Sequence, residues 1–347
     1  MKALYKFIAL SSLLSFSLFG QQKYEVYTVA FYNLENLFDT IDDPHTLDEI
    51  SPMMDIKGAR SKTYQQKIEN MARVLAAIGA TETGAPPVLI GLAEIENHRV
   101  LEDLIASPPL QAAGYEFIHY DAPDARGIDV ALLYQRAAFI PSYHRPYELR
   151  LWDDKGQRIF TRDQLLVSGY LGEEVLHLIV NHWPSRRGGE ARSSPKREQA
   201  AWLCKQVVAG LYKTDPEAKI IVMGDFNDNP PNKSIRNVLQ ATGKPGKITA
   251  GGLYNPMESL FKKGHHSLVY RDRLYLFDQL MVSKALVAVE KEYNALKIYK
   301  TGIFNPVYLT QQTGRYRGYP FRSFSHNGFT GGYSDHYPVY LYLIKAL

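Results

Sequence analysis

Asp225 and Asn227 stand two residues apart in Gly224-Asp225-Phe226-Asn227, directly after the apolar run Ile220–Met223. In extended backbone, residues two apart project to the same side. One offers a carboxylate, a base or a hard-metal ligand; the other offers a neutral amide that can donate to an anionic oxygen. Gly224 between strand and loop is expected to let the backbone turn tightly. Glu94 ends a second apolar run, Val88–Leu92, where a carboxylate is costly unless it is paired or bound to a cation. His182 ends a third, Val175–Asn181, and is followed by Arg186 and Arg187. An imidazole can donate to a phosphate oxygen, and the planar guanidinium fork fits phosphate. Asp335 and His336, adjacent before the last apolar stretch, point to opposite sides of an extended chain. Asp335 can serve a metal or water and His336 a phosphate, with Asp278 fixing the tautomer of His336. Taken singly, each segment also has an ordinary reading as a turn, a salt bridge or a solvated loop.

These groups need rigid elements to bring them together. Tyr24–Asn33 alternates like a strand, and Thr63–Gly79 carries Ile68, Met71, Leu75 and Ile78 at helical spacing before a glycine stop. Val88–Leu92, Asp129–Tyr134 and Ile220–Met223 read as buried strands. Leu165–Tyr170 and Val175–Asn181 flank Gly172 as a hairpin-like pair. Pro195–Leu211 reads as a helix, Leu274–Val282 as one strand, and Tyr337–Ile344 as the last. Strands and helices mix along the whole length without a repeat or a composition break. Asn33, Glu94, His182, Asp225 and Asp335 recur at the ends of apolar strands, where a sheet can hold several groups within ångströms of one another.

Residues 1–20 have the pattern of a signal peptide: Lys2 and Lys6, then a serine-interrupted apolar stretch, then Gly20 before Gln21. The stretch is too short and serine-rich for a membrane span, which needs roughly 20 mostly apolar residues. The expected product is a secreted or periplasmic domain over residues 21–347, without stable membrane association and monomeric. Cys204 is the only cysteine, so no intrachain disulfide forms, and its helical context places it in the core. The net charge of +4 falls to +2 without Lys2 and Lys6, too little to predict a polyanionic partner; steering must come from local clusters.

Together these segments resemble the endonuclease/exonuclease/phosphatase superfamily, the deoxyribonuclease I-like group. The resemblance runs in order through Asn33 in Tyr32-Asn33-Leu34-Glu35-Asn36, Glu94 in Gly91-Leu92-Ala93-Glu94, the Arg126-Gly127-Ile128-Asp129 segment, Asn181-His182, Gly224-Asp225-Phe226-Asn227, Asp278 and Ser334-Asp335-His336. It implies an α/β fold of two packed, mostly antiparallel β-sheets flanked by helices, a four-layer sandwich. It implies that Asn33 and Glu94 hold a metal with Asp335 beside it, and that Asp225 activates the attacking water. Asn227 contacts the phosphate and that aspartate; His182 and His336, the latter supported by Asp278, bind phosphate oxygens. Two positions depart from the pattern: Ala93 replaces a frequent glutamine, and Arg126 and Asp129 occupy a region where several family nucleases carry a tyrosine-containing element.

The proposed ligands are all oxygen donors, which favours Mg²⁺ or Mn²⁺ over zinc. No Cys–His set has zinc spacing, and no Gly-x-Ser-x-Gly elbow is present. The expected reaction is in-line attack of water on a phosphodiester. Arg126, Arg186 and Arg187 are expected to meet the substrate, and Arg315–Phe324 interleaves arginines with aromatics, a pattern suited to backbone phosphate and base stacking. Nucleic acid is therefore the expected substrate; lipid headgroups, inositol phosphates or sugar phosphates are the alternative. An inactive binding module is disfavoured because every position of the constellation carries a competent side chain.

Overall fold

The computed structural model describes residues 23–288 and 292–347; residues 1–20, read above as a signal peptide, lie outside them. Strand β1 (Tyr24–Leu37) is followed by helix α1 (Arg60–Ala77), and β2 (Leu89–Ile95) then pairs with β1 in parallel. After helix α2 (His98–Ala106), β3 (Tyr115–His119) and β4 (Asp129–Gln135) add antiparallel to β2 through β4. The chain then crosses to a second sheet through β5 (Phe139–Tyr147), β6 (Gln164–Leu171) and β7 (Glu174–His182). Helix α3 (Glu190–Thr214) leads to β8 (Ile220–Asp225), parallel to β7. The short strands β9 (Ala241–Thr242) and β10 (Leu253–Tyr254) precede β11 (Asp278–Val282), antiparallel to β8. The chain returns to the first sheet as β12 (Lys297–Ile303) and β13 (Val339–Ala346), the latter antiparallel to β1.

The strand orders are β12-β13-β1-β2-β4-β3 and β9-β10-β11-β8-β7-β6-β5. Both sheets are mixed, with a parallel pair near the middle of each. Alternation along the strands builds three apolar layers. Val29, Phe31, Val180 and Met223 meet between the sheets. Ala30, Tyr32 and Leu92 face α1 and α2, and Ile179, Ile220 and Val222 face α3. The result is the expected four-layer helix–sheet–sheet–helix sandwich. Truncating a wholly buried inter-sheet residue, as in Leu178→Ala, is expected to cost about 2–5 kcal/mol.

Ile68, Met71, Leu75 and Ile78 all pack into the α1 layer as their spacing implies. Cys204 is buried in the α3 layer, and burial pushes its thiol up, away from thiolate chemistry. Two elements differ from the sequence reading. Helix α3 starts at Glu190, so Pro195 falls inside it rather than at its start. Leu274–Val282 is not one strand: Arg273–Tyr275 pairs with Leu268–Tyr270 in a separate ribbon, and only Asp278–Val282 joins the sheet. Continuous apolarity could not reveal that break, because both pieces are extended. No helix among the described residues is long and apolar enough to cross a membrane.

Candidate active site

Topology gathers the chemistry at one mouth. The parallel pair β1–β2 places Asn33 opposite Ala93, beside Glu94, and the parallel pair β7–β8 places His182 opposite Asp225. The antiparallel strand β11 starts at Asp278, opposite Asp225. Strand β13 begins opposite Phe31, so the preceding Asp335 and His336 arrive at the same end. Gly224 serves this arrangement differently from expected: a Cβ there would collide with the Asn181 carbonyl of β7. Its absence permits close approach of the parallel pair rather than a tight turn.

Strict alternation would turn Glu94 away from the mouth, because Leu92 faces the helices and Ala93 the inter-sheet core. A bulge intervenes: Glu94 is left-handed at φ 61°, and Ile95 takes the helix-facing position instead. Glu35, Asn36 and Asn227 are also left-handed, at φ 49°, 54° and 51°. Such conformations cost about 1–3 kcal/mol each and persist where surrounding contacts hold them. Here the contacts are visible: Glu94 Oε2 accepts from the Asn36 N–H at 3.0 Å, and Asp225 Oδ1 from the Asn227 N–H at 2.9 Å.

Asp225 Oδ2 is the centre of the cluster. Asn33 Nδ2 donates to it at 3.2 Å and reaches Glu94 Oε1 at 3.4 Å. His182 Nε2 lies 3.6 Å from the same oxygen and His336 Nε2 3.9 Å. Burial, with the Asp278 and Glu94 charges, raises Asp225 to about 7, against the pull of His336 and the Asn227 N–H. The carboxyl is thus poised as a base near neutral pH. Burial, then the Arg162, Arg126 and His336 charges, depress His182 well below the ordinary imidazole range. For His336 burial also lowers, but Asp278, Asp225 and Asp335 outweigh it and raise the ring well above that range. His336 Nδ1 is 2.6 Å from Asp278 Oδ2, the pairing expected from sequence.

Around this centre the expected residues divide. Asn227 reaches Asp225 through its backbone, while its side-chain amide donates to the Trp183 carbonyl at 3.1 Å. Arg186 does not present a free guanidinium. It donates to the Asn227 carbonyl, Glu190 and Asp228 at 2.8, 2.7 and 2.9 Å, and lies over the Phe277 ring at 4.7 Å. It braces the Asn227 loop, whereas Arg187 is exposed on the wall of the cleft. Arg126 pairs with Asp124 at 3.3 Å, and its charge is felt at His182. Asn33 and Glu94 meet, but Asp335 pairs instead with Arg322 at 2.9 Å and lies 4.0 Å from His336 Nε2. The sequence reading missed Arg162, Lys67 and Glu35. Arg162 is buried and holds the Trp183 carbonyl and Asp124. Lys67 is wholly buried against the Leu34 carbonyl and Ser323. Glu35 accepts from the Ser323 N–H and faces Arg322, and burial with the Asp335 charge raises it to about 8. The only signal for Glu35 was its place two residues after Asn33.

The donor set suits a hard cation. Glu94 Oε1 and Asp225 Oδ2 converge on one Asn33 amide, the neutral His182 adds no charge, and Glu94 remains partly open to solvent. Two converging carboxylates with an amide between them leave negative charge that an oxygen-seeking divalent ion would balance.

A four-layer α/β sandwich whose mouth joins carboxylates, an Asp–His pair and a second histidine defines a hydrolytic phosphoesterase architecture. The chain belongs to the Endonuclease/Exonuclease/phosphatase family, whose description matches residues 28–345. Its fold is similar to that of D. rerio TDP2 complexed with single strand DNA product, at 16% identity and TM-score 0.53, covering 92% of this chain and 98% of that one. It is also similar to an endonuclease/exonuclease/phosphatase family protein from Bacteroides thetaiotaomicron, at 16% identity and TM-score 0.53, over 93% and 98%. The Bacteroides thetaiotaomicron mannosyl-6-phosphatase shares 16% identity at TM-score 0.50, over 91% and 99%. At these identities the likeness shows the fold alone. No curated protein matches the sequence. Enzymes of the family hydrolyse phosphoester bonds and depend on a divalent metal.

Proposed function

We propose that this protein is a metal-dependent phosphodiesterase that cleaves a nucleic-acid strand, exported by its residues 1–20 and working as a monomer in the periplasm or medium. One observation carries the substrate class. The Leu268–Tyr275 ribbon stands at the mouth with a cleft on either side. One, of about 980 Å³, reaches His336 and Asn227 past Arg187 and Arg273; the other, of about 760 Å³, reaches Asp335 past Arg315 and Tyr316. A diester has a substituent on each side of phosphorus and uses both clefts, whereas a monoester needs one. Arginines suit backbone phosphates and tyrosines suit stacked bases. The D. rerio TDP2 structure with a single-strand DNA product supports the same reading by fold.

Glu94 and Asn33 would hold the divalent ion, Mg²⁺ or Mn²⁺, with Asp335 beside it once released from Arg322. Such an ion supplies charge neutralisation at the phosphate oxygens. Asp225, buried and near its titration point, takes the proton from the attacking water. His336, held cationic by Asp278, donates from Nε2 to a phosphate oxygen as charge grows there. His182, neutral, donates from one ring nitrogen only, and the Asn33 amide bridges the two carboxylates by donating to both.

The test is cleavage of a DNA or RNA oligonucleotide, sphingomyelin, an inositol phosphate and a sugar 6-phosphate with Mg²⁺ or in excess EDTA. We expect metal-dependent cleavage of the oligonucleotide. Arg187→Ala should flatten the salt dependence of its KM by about 0.7 in the log–log slope. Turnover confined to the lipid or the small phosphates overturns the nucleic-acid reading, and full activity in EDTA overturns the metal.

A further inference from the structure

His98, His119 and Asp121 form a second group of ligand-type side chains that the proposed chemistry does not use. His119 ends β3 with its side chain wholly buried, Asp121 follows on an exposed loop, and His98 is the exposed first residue of α2. The two Nδ1 atoms are 3.2 Å apart, and Asp121 Oδ1 is 3.9 Å from that of His119.

The proton on His119 is fixed from the opposite edge of the ring. Asp129 accepts the Ala122 N–H on Oδ1 at 2.9 Å, and its Oδ2 lies 2.9 Å from His119 Nε2. An ionised carboxylate only accepts, so Nε2 carries the proton and Nδ1 presents a lone pair toward His98. This buried lone pair, aimed outward at a second imidazole and a carboxylate, is half of a carboxylate–histidine–metal arrangement. The spacing fits as well. A tetrahedral ion with bonds of about 2.0–2.1 Å to nitrogen keeps neighbouring ligands about 3.3 Å apart. The two rings already stand at that separation. The Asp121 side chain is 83% exposed and free to swing the remaining distance.

We propose that His98, His119 and Asp121 bind a zinc-type transition-metal ion, distinct from the oxygen-ligated ion of the mouth, with water completing the coordination. Imidazole donors select for such ions over Mg²⁺. The ion clips the loop between β3 and β4 to the start of α2. That loop carries Asp124, which holds Arg162, which holds the Trp183 carbonyl next to His182. The clip therefore braces one flank of the mouth without touching the reacting atoms.

The experiment is calorimetric titration of the full chain with Zn²⁺ under saturating Mg²⁺, paired with the visible absorption of bound Co²⁺. The wild type should take up one equivalent, show an intense tetrahedral Co²⁺ spectrum and melt at higher temperature with Zn²⁺. His98→Ala, an exposed change, should lose that equivalent, the spectrum and the thermal shift while keeping Mg²⁺-supported turnover. Asp129→Asn should weaken binding about 10–100-fold. Glu94→Ala should retain the equivalent, which separates this site from the mouth. Absence of binding in the wild type, or unchanged binding in His98→Ala, overturns the proposal and leaves a hydrogen bond between the two rings.

Discussion

His182 and His336 flank the same oxygen of Asp225, at 3.6 and 3.9 Å, and are held in opposite states. Both are buried, so burial pushes both toward the neutral ring. The difference lies behind them. His182 has Arg162 and Arg126 among its neighbours, and its Nδ1 has no partner among the described residues. His336 has Asp278 on Nδ1 and Asp335 beside Nε2. The same side chain becomes a neutral donor on one flank and a cation on the other, because the surrounding charges decide what burial alone would not. Two charge states thus follow from one residue type placed against two sheets.

The comparison breaks most sharply at the group both rings share. Asp225→Asn keeps shape and hydrogen-bonding atoms but removes basicity. It is expected to lower kcat by about 10²–10⁴ with KM unchanged or reduced, measured on whichever phosphodiester is cleaved. A variant with near-normal kcat would move the base elsewhere.

The next effect concerns the asymmetry itself. Asp278→Asn and His336→Ala should each lower kcat, and the double variant should lose little more than the worse single, because the two act as one unit. Asp278→Asn with His182→Ala should instead lose the product of the two factors. If the Asp278 and His336 losses multiply independently, their hydrogen bond does not serve catalysis.

The smallest effect is on stability, read as thermal midpoint against pH in chelator. His182 has a folded pKa below its unfolded value, so below about 6.5 the unfolded chain binds the extra proton and stability falls with acid. His336 has a folded pKa above its unfolded value. Its contribution is complete below about 6.5 and is lost as pH rises through the raised folded value. His182→Gln should therefore flatten the acid side of the profile and His336→Gln the alkaline side. The opposite assignment, or identical profiles, would contradict the charge states described for the two rings.

Sequence by itself determined most element types, their order and most of the residues that gather at the mouth. Apolar runs and helical spacing are local properties; Asn33, Glu94, His182 and Asp225 mark strand ends that the two central parallel pairs bring to one mouth, where antiparallel strands deliver Asp278 and His336. The Asp278–His336 pairing was legible through the family resemblance, which sets an aspartate behind the histidine before the last strand. Other features exist only through space. A left-handed residue in β2 aims Glu94, and no apolar pattern encodes a bulge. Arg186 looked like a phosphate ligand beside His182, but Asp228 and Glu190, distant or exposed in the chain, occupy its donors. Lys67 and Arg162, unmarked in the sequence, are buried because Leu34, Ser323, Asp124 and Trp183 supply partners from other elements. The charge states of the two histidines belong to the same class. A side chain's type sets its ordinary pKa, but only the assembled fold fixes which charges stand beside it once water is removed.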